Sequence, residues 1–146
     1  MVALSKFAEN LSALMAEKNL KAPALAKILN TDRSNITRYL QGKRFPLFQG
    51  FMAILEYFNV SADVILGRID YTNETNFLPP AKFGERLRQV MEETKTTQYK
   101  IEQDIKISGE SMYSWLNSFA LPTVESLDKL ADYMDVSIDY LLGRIQ

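Results

Sequence analysis

The chain has 146 residues, 47% of them hydrophobic and 24% charged, with a formal net charge of -1 at pH 7. It contains no cysteine and no histidine, which excludes disulfides, thiolate chemistry and the commonest general base and metal ligand. We therefore expect neither an enzyme nor a bound cofactor. No apolar run approaches the roughly 20 residues that a membrane helix needs, so we expect a cytoplasmic protein without a membrane segment.

Three short helices are predicted at the start of the chain. Apolar residues at helical spacing predict a helix over 4–15, and Pro23 suits the opening turn of a second helix over 23–29. Asp32 suits the N-terminus of a third helix over 33–40, because its carboxylate can accept hydrogen bonds from the free amides of the first turn.

Two further helices are predicted before a polar segment. Gly42 ends the third helix, and a fourth follows Pro46. A fifth has Ser61 as its cap and ends at Gly67. No segment shows the period-two alternation of a strand, so the predicted fold class is all-α.

The second half of the chain repeats the first at an offset of 76 residues. Residues 7–70 align with 83–146 without a gap, and 15 of the 64 aligned positions are identical. The closing sequence "LGRI" is among them, and its arginines, Arg68 and Arg144, are expected to be solvated charges near helix C-termini. This pattern is typical of a duplicated domain.

The segment between the copies, "DYTNETNFLPP", is polar and ends in Pro79 and Pro80, which cannot continue a helix. We predict a first domain over 1–70, a linker over 71–80 and a second domain over 81–146. The predicted helix caps of the second domain are Ser108, Thr123 and Ser137.

The region 25–42, "LAKILNTDRSNITRYLQG", resembles part of a known family. With the basic loop "KRFP" that follows and the closing pattern V-S-x-D-x-x-L-G-R, it is similar to the helix-turn-helix domains of the Cro and phage-repressor type. The resemblance extends to both copies. It implies two tandem five-helix, lambda-repressor-like domains joined by a short Pro-containing linker, and it implies binding to a double-stranded DNA operator.

Six residues of the first copy are candidates for DNA contact. In a helix-turn-helix unit the third helix enters the major groove, and Ile36 and Leu40 are expected to point away from it. Side chains on the outer face can then hydrogen-bond to base edges. The base-reading candidates are Arg33, Ser34, Thr37 and Arg38. Lys43 and Arg44, in the loop after the helix, are expected to contact phosphates, which fixes register without reading sequence.

The second copy has lost this basic face. The six aligned residues are Gly109, Glu110, Tyr113, Ser114, Phe119 and Ala120. A carboxylate at this place repels phosphates, and the loss of every positive charge removes the counterion release that drives non-specific binding. Tyr113 and Phe119 instead predict an aromatic protein interface, whereas Trp115 is expected to pack between helices.

These observations favour a sequence-specific DNA-binding transcriptional regulator, specifically a repressor. In this hypothesis the first domain reads a half-site and the second domain forms a homodimer. One alternative is a monomeric pseudo-dimer with both repeats on DNA. The acidic face of the second repeat argues against this alternative, although it leaves four basic residues of that repeat available for phosphate contact, namely Arg86, Arg88, Lys100 and Lys106. Another alternative is a protein-interaction module of the same fold, similar to an antirepressor or an antitoxin.

Overall fold

The computed structural model describes residues 2–146, and in this range the chain forms ten α-helices and no strand. The predicted all-α class is confirmed. The chain divides into two compact units, Val2–Thr75 and Asn76–Gln146, with five helices in each. The helices are α1 (Leu4–Glu17), α2 (Ala22–Ile28), α3 (Arg33–Leu40), α4 (Phe48–Phe58), α5 (Ala62–Ile65), α6 (Phe83–Glu93), α7 (Gln98–Ile105), α8 (Gly109–Leu116), α9 (Val124–Met134) and α10 (Ile138–Leu141). No helix within the described range has the length and hydropathy to cross a membrane.

Most of the predicted helix starts in the first unit are confirmed. Pro23 lies in the first turn of α2, where its missing amide hydrogen is not needed. The Ser61 hydroxyl accepts a hydrogen bond from the Val64 amide at 3.2 Å and caps α5. Asp32 occupies the N-cap position of α3, but its side chain makes no capping hydrogen bond. The predicted cap by Asp32 is therefore wrong, although the predicted helix start is right.

Hydroxyl caps are more regular in the second unit. Ser108, Thr123 and Ser137 each accept a hydrogen bond from the amide three residues further on, at 3.1, 3.1 and 3.0 Å. These are the three predicted caps. Thr97 caps α7 in the same way at 3.2 Å, so four of the five helices in this unit begin at a hydroxyl side chain.

The core of the first unit forms around Phe7 of α1. Its ring centroid lies 6.5 Å from that of Tyr39, 5.7 Å from that of Phe45 and 6.3 Å from that of Phe51. Edge-to-face contacts at this distance add to the free energy of burying the rings. Because Tyr39 belongs to α3, this cluster ties α3 to α1 and α4 and leaves the opposite side of α3 free.

In the second unit, α6 and α8 approach each other closely at Gly84. A Cβ placed on Gly84 would lie only 2.5 Å from the carbonyl oxygen of Trp115, so only glycine fits there. Trp115 is 6% exposed, which confirms that it packs between helices. Tyr133 of α9 donates a hydrogen bond to the Asp104 carboxylate of α7, and this bond raises the pKa of the Tyr133 phenol above its ordinary value of 10.0.

Both units reverse the chain at the same five positions through residues in the left-handed conformation, with φ between 50° and 77°. One such residue follows each helix. In the first unit they are Asn19, Asn30, Gly42, Asn59 and Gly67, and in the second they are Lys95, Lys106, Ser118, Asp135 and Gly143. The offset of 76 residues relates every pair, so the sequence repeat is also a repeat of backbone conformation.

An ion pair closes each unit, and the pair of the second unit is fully buried. The Arg144 guanidinium contacts the Asp139 carboxylate at 2.5 Å, and both side chains are 4% exposed. Arg68 contacts Asp63 at 2.7 Å in the first unit. The expectation that Arg68 and Arg144 are solvated is therefore wrong. The left-handed glycine before each arginine turns the chain back, which brings the arginine to the aspartate five residues earlier.

Residues of the segment predicted as a linker also contact the units on either side of it. The side chain of Asn59 donates to the carbonyl of Thr75 at 2.9 Å. Further along, the amide of Leu78 donates to the carbonyl of Arg144 at 2.8 Å. The Phe77 ring centroid lies 4.3 Å from the Arg144 guanidinium. The ends of this segment therefore belong to the packing of the units.

The left-handed turns predict that Lys106→Asn stabilises the second unit by about 0.5 to 1 kcal/mol, because asparagine adopts this conformation more readily than lysine. Trp115 is the single tryptophan of the chain, so its fluorescence during urea unfolding reports on this unit. Lys100→Asn, at an exposed position inside α7, is the matched control and should destabilise the unit. A loss of stability in Lys106→Asn would contradict the turn argument.

The buried ion pair predicts that Asp139→Asn lowers the free energy of unfolding of the second unit by about 3 kcal/mol, because it leaves the Arg144 charge buried without its counterion. The same fluorescence measurement applies. Glu92→Gln removes an exposed carboxylate of this unit and should change stability by less than about 0.5 kcal/mol. Similar effects of the two changes would show that the ion pair is energetically equivalent to a surface charge.

Candidate nucleic-acid interface

The turn between α2 and α3 has the geometry of a helix-turn-helix unit. Asn30 is left-handed with φ of 55°, and the amide of Thr31 donates to the carbonyl of Ala26 at 2.9 Å. Ala26 is buried, and its small side chain permits the close approach of the two helices. The turn therefore sets α3 at a fixed angle to α2.

One side of α3 is buried and the other is exposed. Ile36 is fully buried and Tyr39 is buried, whereas Leu40 is only half-buried. The four base-reading candidates, Arg33, Ser34, Thr37 and Arg38, are all exposed. The Thr37 hydroxyl donates to the carbonyl of Arg33 at 3.1 Å, which leaves its oxygen free to accept a hydrogen bond from a base. We call these four residues the reading face.

The two phosphate candidates lie in the loop that follows α3. Gly42 is left-handed with φ of 68°, and the amide of Lys43 donates to the carbonyl of Arg38 at 3.0 Å. Lys43 and Arg44 are both exposed. The Arg44 guanidinium lies 5.8 Å from the Tyr39 ring centroid, so the buried tyrosine supports one end of a basic loop that continues the reading face.

Sequence reasoning missed one residue of this surface. The Asn35 side chain lies beside the reading face and accepts a hydrogen bond from Arg38 at 3.3 Å. Its own amide donates to the Thr31 hydroxyl at 2.8 Å. The spacing of three residues between Asn35 and Arg38 is that of neighbours on a helix surface, and this spacing was the signal available in the sequence.

The corresponding surface of the second unit is aromatic. Tyr113 is 58% exposed and Phe119 is 72% exposed. Their ring centroids lie 5.9 Å apart, with the ring planes inclined at 47°. The structure therefore brings these two interface candidates together. Among their neighbours, Glu110 and Ala120 are exposed, while Gly109 and Ser114 are half-buried.

Two changes in the second unit depend on each other. Glu102 replaces the buried Ala26, and Gly109 replaces Arg33. A Cβ placed on Gly109 would lie 3.1 Å from Oε1 of Glu102, so glycine leaves the room that the larger side chain occupies. The carboxylate then lies near the first residue of α8, where the helix dipole favours a negative charge. With Glu110 it makes this helix end acidic.

Arg86 is not available to contact phosphates in the second unit. It is mostly buried, and its Nε and Nη2 donate to the carbonyl of Tyr140 at 3.0 and 2.8 Å. In the first unit, Asn10 at the aligned position donates to the carbonyl of Val64 at 3.1 Å. Each side chain therefore hydrogen-bonds to a carbonyl in the last helix of its own unit, α5 in the first and α10 in the second. Of the other three candidates, Lys100 and Lys106 are exposed, and Arg88 is exposed although it donates to the carbonyl of Leu116 at 3.4 Å.

Comparison with known proteins identifies the same repeat. The family model of the Cro/C1-type helix-turn-helix DNA-binding domain matches residues 10–70 and again 86–146, two ranges that the offset of 76 relates. The chain is also similar to the cryptic phage CTXphi transcriptional repressor RstR of Vibrio cholerae serotype O1, with 38% identity over 63 residues. The aligned part is 43% of this chain and spans 56% of that relative. No solved structure shows a significant match.

Proposed function

The chain belongs to the family of Cro/C1-type helix-turn-helix DNA-binding domains, and we propose that it is a sequence-specific transcriptional repressor. In this proposal α3 of the first unit reads one half of an operator in the major groove. The observation that carries it is the exposed basic surface formed by the reading face and by Lys43 and Arg44. The similarity to a phage transcriptional repressor supports repression as the direction of regulation. In this proposal the protein acts in the cytoplasm, without a cofactor or a catalytic step.

The residues of this surface have two different tasks in the proposal. Arg33 and Arg38 each offer two parallel N–H groups that match the O6 and N7 acceptors of guanine. Ser34 and Thr37 hydrogen-bond to bases at neighbouring positions. Lys43 and Arg44 neutralise phosphates, which supplies affinity for any DNA sequence and holds α3 in register.

The second unit is proposed to join two chains into a homodimer through Tyr113 and Phe119. Neighbouring exposed aromatic rings are typical of the centre of a protein interface. A two-fold symmetric dimer would present two α3 helices to a palindromic operator, with its half-sites one helical turn or a multiple of a turn apart. The acidic Glu110 at this surface favours a protein over DNA as its partner.

We predict that base-reading and phosphate-binding residues respond differently to substitution. After an operator has been selected from a random DNA pool, Arg33→Ala and Arg38→Ala should each lower its affinity by about 1 to 3 kcal/mol and relax the preference at one base pair. Lys43→Ala and Arg44→Ala should weaken binding to all sequences and reduce the slope of log affinity against log salt by about one. Titrations over a range of salt concentrations measure both quantities.

The control for these titrations is Lys129→Ala, which removes an exposed positive charge from α9 of the second unit. It should leave both the salt slope and the base preferences unchanged. If all four variants of the first unit bind the operator as the unaltered chain does, the assignment of the reading face is wrong. If the random pool yields no preferred sequence and no salt-sensitive binding, the protein-interaction module becomes the better description.

We predict that the double change Tyr113→Ser with Phe119→Ser converts a dimer into a monomer, because it removes the aromatic rings at the centre of the proposed interface. Sedimentation equilibrium measures the mass, and footprinting should then show that protection of the two half-sites requires a higher chain concentration than for the unaltered protein. Tyr71→Ser removes an equally exposed ring outside the second unit and should leave the dimer intact. A wild-type chain that is already monomeric and protects the full operator would support the pseudo-dimer instead.

A further inference from the structure

A short chain of hydrogen bonds ends at one of the base-reading candidates. Nη1 of Arg38 donates to Oδ1 of Asn35 at 3.3 Å, and Nδ2 of Asn35 donates to Oγ1 of Thr31 at 2.8 Å. Arginine has no acceptor atom, so the Asn35 oxygen must face Arg38. The amide nitrogen must therefore face Thr31. The three side chains form one connected unit whose orientation is fixed by the donors and acceptors available.

Helix stability does not explain Asn35. Asparagine has a low helix propensity, and the side chain of Asn35, the third residue of α3, bonds to Thr31 and Arg38 and not to a backbone amide of the first turn. In the second unit the aligned residue is Ser111, whose hydroxyl accepts a hydrogen bond from the hydroxyl of the N-cap residue Ser108 at 3.0 Å. The side chain of Asn35 makes no corresponding hydrogen bond to Asp32, the N-cap residue of α3, and the Asp32 side chain does not cap the first turn of that helix.

Core packing does not explain Thr31 either. The aligned residue in the second unit is Ile107, which is 7% exposed and shows that an apolar side chain fits this position. A hydroxyl at a half-buried position needs a hydrogen-bond partner, and Asn35 provides one. The second unit has different residues at all three positions of this hydrogen-bonded set, since Ile107, Ser111 and Ser114 replace Thr31, Asn35 and Arg38. The hydrogen-bonded set occurs only in the unit with the reading face.

We propose that Asn35 is a positioning residue that orients Arg38 for base reading, and that Thr31 in turn orients Asn35. This inference rests on the proposed function, since it assumes that Arg38 meets a base. A free arginine side chain loses rotamer freedom when it binds, and holding it in place beforehand reduces that loss. The set therefore contributes to specificity at the base pair that Arg38 reads, although neither Asn35 nor Thr31 needs to touch DNA.

The test is a double-mutant cycle in the full-length chain. We expect Asn35→Ala to weaken binding to the selected operator on the order of 3- to 10-fold, the effect of one hydrogen bond. The loss should be confined to operators that carry the preferred base pair at the Arg38 position. Thr31→Val, which removes only the hydroxyl, should weaken binding about 2-fold. In an Arg38→Ala background neither change should have any further effect, and neither should alter the salt slope.

The outcomes separate this inference from the proposed function. If Arg38→Ala relaxes one base pair but Asn35→Ala and Thr31→Val leave it unchanged, Asn35 has no positioning role. Equal losses with and without Arg38 would show that Asn35 acts on DNA or on the fold by itself, which also overturns the inference; a thermal melt of each variant tells these two apart. If Arg38→Ala leaves every operator variant bound as before, the reading role of Arg38 fails and this inference fails with it.

Discussion

The rest of this structure depends on sharp chain reversals after every helix, because five short helices can enclose a small core only if each ends abruptly. Both units make these reversals with a left-handed residue at the same five positions. The first unit uses asparagine and glycine, which tolerate this conformation, whereas the second uses lysine, serine and aspartate at four of the five positions. Packing in the second unit therefore holds two lysines and a serine in a conformation that they do not favour by themselves. The backbone plan is the same while the side chains differ.

The sequence was sufficient for features that depend on neighbouring residues. Helix periodicity, the hydroxyl caps and the breaks at Gly42 and Gly67 are local features. The gapless repeat allowed each helix of one copy to be compared with its counterpart in the other. Contacts between distant residues were not visible in the same way. Arg86 bonds to a carbonyl 54 residues away, and only the folded chain shows that this arginine is not at the surface. The burial of Arg144 was missed for a different reason, because a position just after a helix C-terminus is typical of a solvated charge, and the predicted glycine stop does not by itself show that the turn returns the arginine to Asp139.

The two units differ in groups of residues rather than in isolated positions. Glu102 fits because Gly109 leaves room for it, and the Cβ of any larger residue at position 109 would lie close to that carboxylate. In the first unit, the side chains of Thr31 and Asn35 bond to each other, and Asn35 also bonds to Arg38. In the first unit, loss of Asn35 would remove the hydrogen-bond partner of the half-buried Thr31 hydroxyl. These grouped differences accompany the change from a basic surface in the first unit to an acidic and aromatic surface in the second.

In the proposed function, the basic surface of the first unit supplies base reading and the aromatic surface of the second unit supplies dimerisation, and specific binding requires both. Helix α3 has eight residues and so spans only about 12 Å, enough for about four base pairs of half-site. Four readers at the lower figure of about 1 kcal/mol each give a discrimination of about 10³, whereas a genome offers on the order of 10⁶ or more competing sites. Two such helices in a symmetric dimer double that free energy and reach about 10⁶. A dimer of chains with one reading face each presents the same two reading helices as one chain with two such faces, so the second unit can form the interface without lowering the specificity of the assembly.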